Sequence, residues 1–387
     1  VGAIVAVRTQ SVVVSDRTTW WHVLLETDEG LIGAGEATHE NVADGFATRL
    51  QAAASRLIGH KLAECMTPVG ALSTGNFEHR TIHSALSQAV CDLKGQRQGV
   101  PVRRVLGAAI RGVVVPLYAN INRASRDRSA EAFAKNAAAA AKEGFNAIKI
   151  AAFDDLKPET CSTQEGRDLI DRGLERLTAV AEAATGVDVM VDCHWRFTPL
   201  EARSLVPALK EIGVKWLECP LRETEDHIAD LVQLRKLAND AGIRLCGLET
   251  FGGWGDVAPF VTAGAYDVVM PDVKHAGSLK TIVELADRAA EHQVAVSLHN
   301  PTGPLAHFFS EQLAAALDNG ERLEIQWRES PLFFELTDPP PTVSGGVCRA
   351  SDRPGLGASL KTLAEAAPVT STAGDTALAT PKREANQ

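Results

Sequence analysis

Eight short apolar runs, each followed by a stretch with helical spacing, occupy the chain between residues 113 and 330. They are VVVPLYANI (113–121), AIKIA (147–151), DVMVD (188–192), VKWLE (214–218), IRLCGLE (243–249), YDVVMPD (266–272), VAVSLH (294–299) and RLEIQ (322–326). Segments such as EGRDLIDRGLERLTAVAEAA, LEARSLVPALKEI and LKTIVELADRAAEH lie between them. Strands buried on both faces read as continuous apolar runs, and strands separated by helices pair in parallel. Eight such units predict an α/β fold in which a parallel (β/α)8 barrel closes on itself. A doubly wound open sheet is the alternative, but no GxGxxG follows the first run.

The chain flanking these units has a different character. Residues 1–112 read as an α+β domain, with strand-rich VGAIVAVRTQSVVVSD, TTWWHVLLETDEG and LIGAGEAT, and helices around Val42–Ile58 and Thr81–Gln98. Residues 331–365 are rich in Pro and Gly and are expected to pack back on that domain. Residues 366–387 are small, polar and rich in Thr and Ala, which predicts a disordered tail.

A formal net charge of −10 and the lack of a Lys/Arg-rich run argue against nucleic acid or an anionic membrane as partner. With no apolar span of about 18 residues and no signal-like N-terminus, the expectation is a cytoplasmic protein. A homo-oligomer is expected. Seven cysteines without a CxxC pattern fit neither a disulfide framework nor a structural zinc site. Cys193, Cys219 and Cys246 fall near three successive strand ends. Strand alternation turns the first two away from the neighbouring acids, so all three are expected to be packing residues.

Chemistry in a parallel barrel collects at the C-terminal ends of the strands, because those ends and the loops after them share one mouth. Read in order, the ends carry Lys149, Asp192 with His194, Glu218, Glu249, Asp272, His299 and Glu324; the first strand ends near Asn120 and Arg123. Within DVMVDCHWRFTP, Asp192 and His194 share a face with Met190, while Val189, Val191 and Cys193 take the other. So many ionisable groups aimed at one mouth repel and desolvate one another unless a cation or substrate compensates. Asp192, Glu218 and Glu249, on three successive strands, offer three hard carboxylate oxygens suited to Mg²⁺.

The order of these strand-end residues resembles the enolase superfamily, mandelate racemase subgroup. TTWWHVLLETDEGLIGAGEA is similar to the opening of that family's capping domain, and SQAVCDLKGQRQGVPVRRVLG to its helix leading into the barrel. DCHWRFTP, PDVKHAGS and SLHNPTGPLA look most like acid-sugar dehydratases. The resemblance implies an enolase-like modified barrel with an N-terminal capping domain. It also implies proton abstraction α to a carboxylate, giving an enediolate stabilised by Mg²⁺.

The resemblance further implies a set of roles. Lys149, matching the first lysine of a KxK strand, faces the substrate carboxylate; the second lysine is absent, because the position is Ala151. His299 is then the single base, oriented by Asp272, and His194 the acid that protonates a departing 3-hydroxyl. Glu324 hydrogen-bonds the enediolate, with Glu329 as a register alternative. Arg196, beside His194, and Trp20, in the SDRTTWW capping loop (15–21), are the other candidate substrate contacts. The sequence departs from the family at Cys219 (usually Glu), Leu248 (usually Gly) and Ser278 (usually Gly). One base on one face argues against racemisation and for elimination. The expected activity is that of a hydro-lyase, converting a small anionic sugar acid to its 2-keto-3-deoxy product. A cycloisomerase of a sugar lactone or anhydro-sugar acid would use the same base and metal. A non-catalytic barrel acting as a binding protein would show little Mg²⁺-dependent stabilisation.

Overall fold

The structure, a computed structural model, describes residues 2–39, 42–65, 76–107 and 113–361; the tail expected to be disordered lies outside them. Three antiparallel strands open the chain, β1 (Ile4–Val13), β2 (Thr19–Thr27) and β3 (Ile32–Glu36), in the order β1-β2-β3. Against the expected helices, one spans Phe46–Ser55, starting only after Gly45 turns the backbone to φ 79°, and another Phe77–Gln98. The second begins earlier than its apolar pattern because Asn76 accepts a hydrogen bond from His79 N at 2.9 Å.

An unpaired edge strand leaves N–H groups without acceptors. Here the Phe77–Gln98 helix supplies them: Ala34 N donates to Asp92 Oδ2 and Glu36 N to Gln88 Oε1, at 3.0 and 2.9 Å. Contact is close enough that a Cβ on Gly35 would lie 2.0 Å from Ala85 O. The sheet and helix therefore form a small core of their own around Val23, Leu25, Leu50, Leu86 and Val90.

The eight expected runs become β4 (Val114–Asn120), β5 (Ala147–Ile150), β6 (Asp188–Asp192), β7 (Val214–Glu218), β8 (Arg244–Gly247), β9 (Val268–Val269), β10 (Ala295–Val296) and β11 (Leu323–Gln326). They pair in parallel in chain order, and β11 pairs β4. A parallel bridge between Val296 and Gly320 closes the ring. Ser129, Thr163 and Ser278 each cap the helix that follows them through a side-chain oxygen. The interior is filled by Tyr118, Met190, Trp216, Cys246, Val268 and Met270, which form a floor beneath the mouth. No helix among the described residues is long and apolar enough to cross a membrane.

The segment after the barrel is more structured than its composition suggests. Leu356 N donates to Asp92 Oδ1 at 2.8 Å and Val102 N to Gly355 O, tying it to the N-terminal unit as expected. It also contributes a hairpin, β12 (Thr337–Asp338) being followed by β13 (Val343–Ser344) and β14 (Val347–Arg349), and β14 runs antiparallel to the start of β4. All seven cysteines are buried and none forms a disulfide.

Candidate active site

The barrel register places the acids. Asp192 and Glu218 are direct partners in the β6–β7 ladder, and both are buried at the strand ends. Glu249 lies just past β8, and ligand oxygens of Asp192, Glu218 and Glu249 all fall within 4.8 Å of one another. Lys149, fully buried on β5, ion-pairs with Glu218, with Glu324 at 3.0 Å and with Asp192 at 3.9 Å. Its ammonium sits 5.4 Å from the centre of the Tyr118 ring. Trp216 Nε1 donates to the other Glu218 oxygen at 2.8 Å.

Electrostatics follow from this crowding. Burial and the neighbouring carboxylates push Glu218 up to about 8 despite Lys149, and burial likewise raises Glu249. Asp192 behaves oppositely: burial would raise it, but His194 and Lys149 together hold it below the usual carboxylate range. Three buried carboxylates whose crowding raises two of them suit a hard divalent cation. The residues fit Mg²⁺.

Two imidazoles flank the cluster. On one side, His299 Nδ1 donates to Asp272 Oδ2 at 2.8 Å, and Nε2 stands 3.6 Å from Glu249 Oε2. Burial would lower its pKa, yet Glu249 and Asp272 raise it to about 9. Asp272 is fixed in turn by Lys274, whose N and Nζ donate to its two oxygens at 2.7 and 2.6 Å. On the other side, His194 lies between carboxylates, Nε2 at 3.0 Å from Asp192 Oδ2 and Nδ1 at 3.4 Å from Asp154 Oδ1. Burial opposes its charge, but the two acids hold it well above an ordinary imidazole.

Glu324 completes the set. It accepts from Asn120 Nδ2 at 2.6 Å and Asn300 N at 3.1 Å. Glu329 is instead paired with Arg123 at 3.0 Å and accepts from Thr18 of the capping loop, so it joins loop to barrel and stands apart from the cluster.

Two expectations are corrected, those for Trp20 and Cys219. Trp20 lies on β2, not in the loop, and is 1% exposed. Gly303 packs against it, since a Cβ there would lie 2.9 Å from the indole, so it is a packing residue of the cap–barrel seam. Arg196 Nη1 donates to Leu156 O at 2.7 Å and braces the loop that carries Asp154. Cys219 is buried but does not turn from the acids: its φ of 46° leaves the extended region, alternation lapses, and Sγ comes 3.8 Å from Glu249 Oε2.

Asp154, Lys274 and Asn300 are not singled out by strand-end reasoning, which names Asn120 only as the end of the first strand. Each supports a residue that is, and Asp154, Lys274 and Asn300 lie in loops, where no periodicity marks a side chain's direction. Another buried group, His307, Glu311 and Cys348, also has metal-ligand atoms within 4.8 Å. Asn300 Nδ2 donates both to Glu324 O and to His307 Nδ1, which leaves the His307 proton on Nε2, 3.2 Å from Glu311 Oε1. That tautomer leaves no lone pair on Nε2 for a metal, although Nε2 and Glu311 Oε1 form no hydrogen bond with one another.

The mandelate racemase / muconate lactonizing enzyme N-terminal domain profile matches residues 3–107, and the enolase C-terminal domain-like profile matches 132–364. The chain belongs to this family. It is thus an enolase-superfamily enzyme, and its curated relatives are hydro-lyases. D-xylonate dehydratase of Haloferax volcanii is 27% identical over 366 residues, covering 91% of this chain and 85% of the relative. D-galactonate dehydratase of Verminephrobacter eiseniae is 26% identical, covering 74% and 73%. A structure from Burkholderia xenovorans, assigned as an L-alanine-DL-glutamate epimerase and bound to magnesium and fumarate, shares the fold. Its TM-score is 0.82 at 22% identity, covering 95% of this chain and 97% of that one.

Proposed function

We propose that this family member is a Mg²⁺-dependent acid-sugar dehydratase. It acts on a 2,3-dihydroxy acid, removing the proton at C2 and expelling the 3-hydroxyl as water to leave a 2-keto-3-deoxy acid. The observation that carries this is the placement of His299 beside Glu249 and His194 beside Asp192 in one carboxylate triad, the first backed by Asp272 and the second by Asp154. An elimination needs a base for one group and an acid for the other. The position of a second base is Ala151, which cannot take a proton. The dehydratase names of the relatives point the same way.

Asp192, Glu218 and Glu249 would hold Mg²⁺, which supplies the positive charge that makes so weak a carbon acid ionisable at neutral pH. Charge neutralised at Glu249 would also relax its pull on His299 and lower the imidazole's pKa from about 9. Lys149 adds a fixed positive charge between Glu218 and Glu324, on the carboxylate side of the site. His299 takes the C2 proton on Nε2, since Nδ1 is engaged by Asp272. His194, charged between its two acids, gives a proton to the leaving hydroxyl.

A panel of mono- and diacid sugars, assayed for 2-keto-3-deoxy products with and without Mg²⁺, tests the reading. Product from at least one acid, lost on chelation, is expected. Isomerised lactone in place of keto-deoxy acid would move the assignment to cycloisomerase, and inertness across the panel would overturn it. Glu249→Gln removes one ligand charge at nearly constant volume and should weaken Mg²⁺ binding by more than about tenfold, a loss above about 1.4 kcal/mol. Calorimetric titration showing unchanged affinity would remove Glu249 from the ligand set.

A further inference from the structure

The turns that present the acids are held in costly backbone conformations. His194, Trp195, Cys219 and Leu248 all have positive φ, 46°, 58°, 46° and 70°. Leu248 is the acute case, a buried branched side chain in the left-handed region immediately before Glu249. An L-residue other than Gly keeps that conformation only when its surroundings insist on it.

The structure assigns that insistence to Glu223, from the loop after β7. We propose that Glu223 is a positioning residue: it braces the Leu248 turn and thereby holds the Glu249 carboxylate over the barrel mouth. Its Oε1 accepts from Leu248 N at 2.6 Å and from Tyr266 OH at 2.9 Å. Room for the carboxylate exists because residue 247 is glycine: a Cβ there would lie 2.3 Å from Glu223 Oε1 and 2.9 Å from the Tyr266 ring. Cys219 Sγ stands 3.9 Å from the same oxygen, so the turn beside Glu218 touches the brace as well. The turns are laced directly too, Trp195 N to Cys219 O at 2.6 Å and Cys219 N to Cys246 O at 3.0 Å. One carboxylate thus ties two ligand-bearing turns to the Tyr266 ring, which is anchored in the core. No substrate or cation need touch Glu223 for it to matter.

This inference rests on the Mg²⁺ reading of Asp192, Glu218 and Glu249. Its test is the Mg²⁺ affinity of the full chain by calorimetric titration, alongside melting temperature in chelator. Glu223→Ala should weaken Mg²⁺ binding by about 10- to 100-fold, the range for partners that orient a ligand. Glu223→Gln, which keeps an acceptor oxygen for Leu248 N, should bind Mg²⁺ more tightly than Glu223→Ala. Tyr266→Phe, which keeps the ring and removes one hydrogen bond, should lose affinity in the same direction but less. Adding Leu248→Gly to Glu223→Ala should restore part of the affinity, because the turn then no longer resists its conformation. Wild-type Mg²⁺ affinity in both Glu223→Ala and Tyr266→Phe, or no recovery with Leu248→Gly, would overturn the assignment and leave the metal reading standing. Absence of Mg²⁺ binding by the unaltered chain would overturn both.

Discussion

Replacing His299 with Asn should abolish both dehydration and exchange of the substrate C2 hydrogen for deuterium, whereas His194→Asn should abolish dehydration alone. The distinction follows from what each imidazole touches. In the proposed reading His299 is the base, its Nδ1 held by Asp272 and its Nε2 3.6 Å from Glu249 Oε2. Without it no side chain at position 151 can take over, and rate losses of about 10² to 10⁴ are usual for a positioned acid or base. In the same reading His194 is the acid, and its backbone N–H also donates to Asp192 Oδ1 at 3.0 Å. That contact survives the substitution to Asn, so the triad keeps one of its anchors while the proton donor is lost. NMR of recovered substrate in D₂O decides the matter. Normal exchange by the His299 variant, or parental dehydration by the His194 variant, would reverse or dissolve the two roles.

Much of this arrangement can be read before any coordinates are seen. Asp192 and Glu218 terminate strands and Glu324 lies within β11, and a strand's period of two tells which way such side chains point. Lys149 is legible for the same reason, and Asp272 and His299 follow because the runs that lead to them point at the mouth. The limits are equally physical. β9 and β10 pair over only two residues each although their apolar runs are longer, since the chain leaves the ladder early to deliver Asp272 and His299. Beyond that point alternation no longer applies, as Cys219 shows. Asp154, Lys274 and Glu223 depend on loop conformation and on partners distant in sequence, for which the chain carries no periodic signal. Trp20 misleads because an aromatic beside a turn reads equally well as a loop contact or as the first buried residue of a strand.

Lys149→Met should cost the cation-free protein about 3–5 kcal/mol at neutral pH, the usual penalty for removing one partner from a buried ion pair. The ammonium is buried among Glu218, Glu324 and Asp192, and a thioether of similar length leaves those charges facing one another. On the proposed ligand set Mg²⁺ should recover part of the loss, because it would neutralise Asp192 and Glu218, two of the same carboxylates. Urea unfolding in chelator and then in excess Mg²⁺ measures both terms. A loss below about 1 kcal/mol in chelator, within the range of an exposed pair, would mean that the acids are already neutral and that Lys149 is not what compensates them.

The seven enclosed thiols have a practical consequence for work on this chain. A thiol-selective reagent finds nothing to modify while the native state persists, so the number of groups that react over time counts opening events. A cysteine introduced at an exposed position, such as Val13 on β1, would be the addressable one. Fluorophores or spin labels could then be attached at chosen points around the barrel mouth without first stripping the native cysteines from the core.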